Sequence, residues 1–328
     1  MIIGYHASHE QFSPGYLLRL IQEAEAAGFN GAMCSDHFYP FSVRQGQSGY
    51  AWSWLGAALQ ATSLTFGTVS APGQRYHPAV LAQAVSTLAE MFPGRFWIAL
   101  GSGQYINEGI TGECWPPRAE RNERLRESAE VIRSLLAGET VTHYGAVSVE
   151  SAYLYTRPDK SPLIIGAAIS PATAEWVGQW ADGLITISQP AEKLNQVVEA
   201  FRRGGGKDKP IYLKVQLSYD HTEERALKGA WEQWRAVIFP SPVLTELRLP
   251  EQLDAAAGFI SPEEMRQHVL VSADPEKHKT WLRDYIDMGF ENLYLHNVNL
   301  NQETFIRDFG KQVLPGLFSP GGRRGQNR

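Results

Sequence analysis

Cysteine is scarce in this chain of 328 residues, which contains Cys34 and Cys114 and no others. Two thiols are too few for a disulfide framework or a zinc cluster, so the sequence predicts a reducing compartment, and we expect the cytoplasm. A long apolar run is also missing, because no segment approaches the roughly 20 consecutive apolar residues that cross a bilayer. We therefore expect a protein that is neither membrane-bound nor exported.

Neither sign of charge dominates, since 30 Lys and Arg stand against 35 Asp and Glu, and no long run of either sign occurs. This balance argues against nucleic acid as a partner. The 43% hydrophobic residues and nine tryptophans suffice for a large core. One α/β barrel usually takes about 250 residues. We expect a single domain over residues 1–318 and a disordered, glycine-rich tail at 319–328.

Strand and helix patterns alternate along most of the chain. Eight predicted strands occupy residues 2–7, 31–35, 65–70, 96–100, 163–167, 183–187, 211–217 and 292–296. Repeated βα units of this length predict a (β/α)8 TIM barrel, with a doubly wound open sheet as the alternative. Residues 140–156 predict an inserted β-hairpin, and the proline-rich segment 238–272 predicts an insertion of short helices. We expect both insertions to shape the substrate pocket and a dimer contact.

The clearest local signal is Phe96–Leu100, an apolar run without alternation that ends abruptly in a polar loop. Such a run is typical of a parallel strand covered on both faces. Gly101 and Gly103 allow the backbone to approach a flat ligand closely. Neutral hydrogen-bonding groups come from Ser102, Gln104 and Asn107. The loop therefore predicts one wall of a cofactor site.

Two other interpretations of these residues carry less weight. Gly101 and Gly103 begin a G-x-G, but Ile106 stands where the dinucleotide fingerprint needs its third glycine. His6 and His9 suggest a metal site, yet their spacing of three does not place them on one strand face, and further ligands are not evident. We predict neither a Rossmann fold nor a bound metal.

Polar residues follow the other predicted strands too, and in a barrel these strand ends converge on one mouth. His6 and the pair Ser70-Ala71 are predicted to line that mouth and to bind the cofactor. His37, beside Asp36, is the predicted catalytic residue, because an imidazole donates or accepts a proton near neutral pH.

Ser170-Pro171 predicts a capped helix start after the fifth predicted strand, with Ala168 and Ile169 in the approach loop. Free N–H groups and the positive dipole end make such starts suitable for phosphate. A purely structural cap is the alternative at this position.

Three motifs together resemble the bacterial luciferase-like flavin oxidoreductases, in the branch that contains the deazaflavin-dependent glucose-6-phosphate dehydrogenases. The motifs are Ser35–Phe38, Arg75–Ala84 and Gly101–Glu108. Weaker similarity continues through Ala181–Gly183 and Val271–Pro275 to His296, so the resemblance spans nearly the whole chain. It implies a barrel that holds a flavin or deazaflavin at the strand ends, in a homodimer.

The resemblance also implies roles for single residues. Asp36 and His37 would flank the reacting ring, and a non-proline cis peptide near Ser70-Ala71 would back it. The segment Ala168–Ser170 would hold the coenzyme phosphate. The ring would be lined by Gly101, Ser102, Gly103, Gln104 and Asn107.

Departures from the branch bear on the reaction. Gln104 stands where the sugar-phosphate dehydrogenases have a general-acid glutamate, and an amide does not exchange a proton near neutral pH. Pro190 and Gln267 align with their substrate-phosphate lysines, and Ile169 and Ser170 with their paired glycines. We therefore do not expect glucose 6-phosphate as substrate.

These changes resemble a small offshoot predicted to use FMN. We expect an FMN-dependent oxidoreductase that transfers hydride to, or oxygenates, a small organic substrate, with a nicotinamide donor or a flavin reductase as electron source. His37 would supply the proton, while Gln104 and Asn107 would orient the ring. The alternatives are a dehydrogenase or reductase that uses an 8-hydroxy-5-deazaflavin coenzyme and a non-catalytic flavin-binding protein.

Overall fold

The structure is a computed structural model that describes residues 1–318, and the predicted tail at 319–328 lies outside the described residues. The strands are β1 Ile2–Ala7, β2 Gly31–Ser35, β3 Thr65–Ser70, β4 Phe96–Leu100, β5 Val141–Tyr144, β6 Ser148–Ala152, β7 Ile164–Ala167, β8 Gly183–Ile187, β9 Ile211–Tyr219, β10 Leu270–Ser272 and β11 Asn292–Asn297. The helices are α1 Pro14–Ala26, α2 Ala51–Ala61, α3 Pro78–Met91, α4 Tyr105–Glu108, α5 Arg118–Ala137, α6 Pro171–Gly178, α7 Ala191–Phe201, α8 Glu223–Trp234, α9 Ser241–Leu244, α10 Pro250–Ala256, α11 Pro275–Asp287, α12 Gln302–Gln312 and α13 Leu314–Phe318.

Eight parallel strands form a closed barrel in the order β1-β2-β3-β4-β7-β8-β9-β11. Pairing of β11 with β1, and of β8 with β9, leaves no open edge in this ring. The prediction of a (β/α)8 barrel is confirmed, and the alternative of an open sheet is excluded. The short strand β10 extends the end of β9, where Leu270 pairs with Leu217.

Helix α1 shows how the sequence builds the outer layer. Leu17, Leu20, Ile21 and Ala24 recur at helical spacing and are fully buried against the barrel. Each such leucine contributes about 1.5–3 kcal/mol on burial. The helix ends before Gly28, whose φ of +101° reverses the chain toward β2.

Large rings fill the interior of the barrel. The inward residues form one apolar cluster: Met33, Trp97, Ala99, Ile165, Ile185, Tyr212 and Tyr294. The indole nitrogen of Trp97 donates to the hydroxyl of Tyr294 at 3.2 Å, and the ring of Trp97 lies 4.9 Å from that of Tyr212. Space for these rings comes from Gly67 on β3, where a Cβ atom would overlap the indole. The interior is therefore a packed core, and any site lies above it, at the strand ends.

Both predicted insertions are present. Strands β5 and β6 form an antiparallel hairpin, whose His143 Nε2 meets the carboxylate of Glu127 on α5 at 2.8 Å. Segment 238–272 contains α9, α10 and β10, and its apolar residues pack with Phe41, Ile106 and Trp234 in a second cluster. Phe41 and Ile106 follow β2 and β4, and Trp234 at the end of α8 contacts His296 on β11, so the second insertion covers part of the barrel mouth. Within residues 1–318, no helix combines the length and apolarity needed to cross a bilayer.

Gly67→Ala tests the packed interior. Because the added methyl overlaps the indole of Trp97, we expect the free energy of unfolding to fall by about 1–3 kcal/mol. Urea unfolding followed by circular dichroism measures this change. Gly15→Ala on α1 is the control, since no atom lies within 4 Å of its added methyl, and its stability should equal or exceed the wild type. An unchanged midpoint for Gly67→Ala would contradict the packing described.

Candidate active site at the barrel mouth

The ends of β2, β3 and β4 lie side by side on the rim. Ser70 Oγ donates to Asp36 Oδ2 at 2.5 Å, and the backbone N–H of Gly101 donates to the carbonyl of Ser70 at 3.0 Å. A Cβ atom on Gly103 would lie 3.3 Å from that of Ala71. The segments around residues 36, 70 and 103 are therefore brought together, as a common ligand requires.

A buried charge network holds this part of the rim. Arg75 Nη1 lies 3.4 Å from Asp36 Oδ1, and its Nε lies 3.4 Å from Glu108 Oε1. The hydroxyl of Tyr76 donates to Asp36 at 2.9 Å. Burial raises the pKa of Glu108, although Arg75 opposes this shift, and burial beside Asp36 raises the pKa of Tyr76. The carboxylate of Asp36 is thus occupied by protein donors, and these contacts hold the segments after β2 and β3 together.

His37 forms a pair with Glu10, a residue that sequence reasoning missed. Nδ1 of His37 bonds Oε1 of Glu10, and the other carboxylate oxygen accepts from Ser8 at 2.8 Å and Ser35 at 2.6 Å. Burial alone would raise the pKa of Glu10, but the His37 contact and the Ser35 hydroxyl outweigh it and hold that pKa well below its usual range. The one available signal was the position of Glu10 just after β1.

The imidazole of His37 is oriented for chemistry by this pair. With Nδ1 bound to Glu10, Nε2 is the nitrogen left for a ligand. The His37 side chain is 24% exposed, whereas Glu10 is buried. The ring of Phe41 meets the imidazole edge-on at 4.9 Å between centroids. This arrangement can exchange a proton with a molecule in the mouth while water is partly excluded.

Asn107 and Gln104 lie next to this pair but differ in their contacts. Asn107 Oδ1 accepts from the backbone N–H groups of Phe38 at 2.8 Å and Tyr39 at 3.2 Å, so it holds the loop after His37. Asn107 Nδ2 donates to Gln104 Oε1 at 3.4 Å. Gln104 thereby keeps its amide N–H groups for another acceptor, and its predicted role at the ring stays a prediction.

The glycine segment provides an open surface. A Cβ atom on Gly101 would be in ordinary van der Waals contact with Ala167 at 3.7 Å and Val69 at 3.9 Å, so a small side chain fits here without overlap. Gly103 has a φ of +80°, which a residue with a side chain rarely adopts. Ala71 and Ser102 beside them are half-exposed. A flat ring fits these residues. The expected cis peptide at Ser70-Ala71 is wrong, since the described residues contain none.

The predicted phosphate loop lies on the same rim, after β7. The Ser170 hydroxyl caps α6 by accepting from Thr173 N–H at 3.4 Å, and the Ile169 side chain is 40% exposed. Ala168 is buried. Arg118, which sequence reasoning missed, donates to Thr173 Oγ1 at 2.7 Å and brings a cation to this helix start. The loop combines a helix N-terminus with an arginine, which suits a phosphate group.

His6 lies on the opposite side of the mouth, on β1. Its ring is buried and lies 4.4 Å from the ring of His296 on β11. The indole of Trp234, the last residue of α8, contacts His296 edge-on at 4.6 Å. Within residues 1–318, no cluster of three His, Cys, Asp or Glu side chains could hold a metal ion.

The closed barrel, its rim and the His37–Glu10 pair are the features of one class of protein. Comparison with known families identifies that class. Residues 2–292 match the family described as luciferase-like monooxygenase. The chain belongs to this luciferase-like family, and it is an oxidoreductase.

Relatives locate the chain within that class. A Beutenbergia cavernae protein named F420-dependent glucose-6-phosphate dehydrogenase is 35% identical over 326 residues, covering 96% of this chain and 97% of that one. A Mycobacterium avium protein of the same name is 33% identical over 329 residues, with coverage of 96% and 97%. A solved F420-dependent secondary alcohol dehydrogenase, in complex with an F420-acetone adduct, is similar with a TM-score of 0.89 and 28% identity over 97% of this chain and 99% of that one.

These comparisons confirm the resemblance stated above, including the branch near the deazaflavin-dependent glucose-6-phosphate dehydrogenases. F420 is an 8-hydroxy-5-deazaflavin, so the three names agree with the deazaflavin alternative. FMN, the coenzyme expected first, stays a prediction.

Arg75→Gln tests the charge network of the rim. The substitution leaves Asp36 and Glu108 buried without their cation, so we expect the free energy of unfolding to fall by about 3–5 kcal/mol at pH 8. Without the cation, burial raises the pKa of Glu108 unopposed by Arg75, so this carboxyl binds a proton more tightly in the folded state than in the unfolded one. Lowering the pH to 5.5 should therefore shrink the deficit.

Urea unfolding at both pH values measures this change. Arg126→Gln is the control, because its ion pairs with Glu123 and Glu130 lie on the exposed face of α5, and such pairs contribute about 0–1 kcal/mol. Equal losses for the two variants, or a deficit that grows toward acid pH, would disprove the role given to Arg75.

Proposed function

We propose that this protein transfers a hydride between an F420-type 8-hydroxy-5-deazaflavin and a small alcohol or carbonyl compound. The observation that carries the proposal is the His37–Glu10 pair on the same rim as the open glycine segment 101–103. The names of three relatives, all F420-dependent dehydrogenases, support the choice of coenzyme.

The residues of the mouth have different roles in the proposed reaction. A deazaflavin bound on this rim would supply the hydride acceptor or donor. Nε2 of His37 takes the hydroxyl proton of an alcohol, or returns it to a carbonyl oxygen in the reverse direction. The buried carboxylate of Glu10 holds the imidazole in place and lies beside the positive charge that forms when Nε2 takes a proton. Thus the charge that develops during proton transfer is balanced within the protein.

Gln104 supports the same reaction without a proton of its own. Its amide N–H groups can donate to a ring atom that gains negative charge, because its oxygen is already engaged by Asn107. A carboxylic acid at this position could deliver a proton, and the amide cannot. His37 and solvent therefore handle all protons in this proposal.

Glucose 6-phosphate is excluded from the proposal. Pro190 and Gln267, at the positions that align with substrate-phosphate lysines in the sugar-phosphate dehydrogenases, carry no charge. The apolar residues Phe41 and Trp234 instead cover the mouth near His37 and His296. A substrate without a phosphate group fits this lining.

FMN is the second candidate coenzyme, and the phosphate loop favours it. Ile169 is 40% exposed beside Ser170, where its side chain narrows the route of a coenzyme tail longer than that of FMN. With FMN, a nicotinamide donor or a flavin reductase would supply electrons. We propose a homodimer with either coenzyme, following the family resemblance.

Titration of coenzyme-free protein with F420 and with FMN distinguishes these candidates. We expect F420 to bind at least tenfold more tightly than FMN, measured by equilibrium dialysis. Gly101→Val should weaken the binding of either coenzyme at least tenfold, because the added side chain covers a half-exposed backbone while its Cβ stays in ordinary contact with Ala167 and Val69. Tighter binding of FMN would select the second candidate, and binding of neither would refute both.

His37→Asn tests the proton-transfer role with F420 and a panel of small secondary alcohols. We expect kcat to fall about 100-fold to 10,000-fold while the Kd of F420 changes less than threefold, because the lost imidazole acts on the substrate proton. The control is His221→Asn, which removes a similar histidine–carboxylate pair, 2.9 Å from Asp308, outside the mouth. A wild-type kcat in His37→Asn would exclude His37 as the proton-transfer group.

A further inference from the structure

The inward side chains of the barrel differ between its two halves. On β3, β4 and β7 the residues at the top of the interior are small or apolar: Val69, Ala99 and Ala167. On β9 and β11, the inward positions two residues beyond Tyr212 and Tyr294 are Lys214 and His296. With His6 on the adjacent strand β1, they form a polar cluster across the mouth from the glycine segment that follows β4.

Lys214 is a cation that has one carboxylate, Glu10, in its neighbourhood but outside ion-pair distance. Its ammonium lies 5.5 Å from the centroid of the Trp234 ring, and among the described residues no carboxylate forms an ion pair with it. The side chain is half-buried, and burial lowers its pKa. An ammonium that has lost part of its hydration in this way favours binding of an anion.

The two histidines leave buried atoms unsatisfied beside this cation. Nε2 of His296 lies 3.0 Å from Oε1 of Gln11, whose own amide donates to the carbonyl of Val298 at 2.8 Å. Since Oε1 of Gln11 can only accept, Nε2 of His296 carries the proton and Nδ1 of His296 is an acceptor. This Nδ1 atom has no hydrogen-bond partner. Nδ1 of His6 is also buried without a partner. A ligand with hydrogen-bonding groups would give both Nδ1 atoms a partner.

Local charge limits the ligand to a monoanion. Glu10 is near enough for Lys214 to lower its pKa, but its oxygens are occupied by His37, Ser8 and Ser35. Burial and the Lys214 charge lower the pKa of both His6 and His296, which are therefore neutral at pH 7. One spare positive charge with a fixed negative charge nearby matches a carboxylate better than a phosphate dianion.

We propose that Lys214, His6 and His296 form a carboxylate-binding subsite, and that the substrate is a hydroxy acid or the corresponding oxo acid. The substrate assignment rests on the proposed function, whereas binding of a carboxylate does not. In this arrangement Lys214 holds the acid end of the substrate while the carbinol group faces His37. The subsite selects among alcohols by charge.

The test is calorimetric titration of the coenzyme-free protein at constant ionic strength. The probes are 2-hydroxybutyrate, the neutral analogue butane-1,2-diol and inorganic phosphate. We expect the wild type to bind 2-hydroxybutyrate at least tenfold more tightly than either other probe. Lys214→Met, which keeps most of the side-chain volume, should bring the acid and the diol within twofold of each other. Lys214→Arg should retain part of the preference.

Lys228→Met is the control, because Lys228 lies exposed on α8 and pairs with Glu232 at 3.8 Å. The proposal is overturned if the wild type shows no preference for the acid, if the preference survives in Lys214→Met, or if phosphate binds best. Turnover separates the two proposals. Carboxylate binding that depends on Lys214, without hydride transfer to F420 or FMN, would refute the proposed function alone. Turnover of neutral alcohols without a preference for acids would refute the subsite alone.

Discussion

The contact of Arg75 with Asp36 and Glu108 is the constraint on which the candidate site depends. Each of these residues follows a different strand, so one guanidinium joins the ends of β2, β3 and β4. Two carboxylates buried side by side would repel each other without it, and the planar fork of arginine reaches both where an ammonium could not. Because Asp36 precedes His37 and Glu108 follows Asn107, the network also sets the position of the proton-transfer pair.

The closed barrel explains how two chemically different surfaces share one mouth. The packed rings of Trp97, Tyr212 and Tyr294 seal the interior, so ligands are restricted to the strand ends. Above this layer, the glycine segment 101–103 and its neighbours offer an open surface for a flat ring. The strands β9, β11 and β1 complete the circle with polar side chains. Hydride transfer needs both surfaces, one for the coenzyme and one for the substrate and its proton.

Proton exchange at this rim depends on few groups. The amide of Gln104 cannot exchange a proton near neutral pH, so the pair of His37 and Glu10 is the one proposed for that role. The buried carboxylate of Glu10 supports this role, because it lies beside the positive charge that forms on the imidazole during proton transfer. In the proposed subsite, the substrate is recognised on the far side of the mouth, where Lys214 supplies the charge.

Much of the fold was predictable from the sequence. Unbroken apolar runs such as Phe96–Leu100 predicted strands covered on both faces, and their alternation with helices predicted a barrel, because each element has to bury one face against the next. The residues after these strands were predicted to share one mouth for the same reason. His37 was predicted by its place just after β2.

Other features depended on contacts between distant parts of the chain. Glu10 lies 27 residues from His37, and Arg118 lies 55 residues from Thr173, so no local pattern could pair them. Trp234 and Lys214 resembled ordinary helix and strand residues until barrel closure placed them beside His296. The sequence by itself determined which residues end each strand, since that follows from local patterning. The tertiary structure alone decided which side chains meet there and which charges stay unpaired, because those depend on barrel closure and on burial.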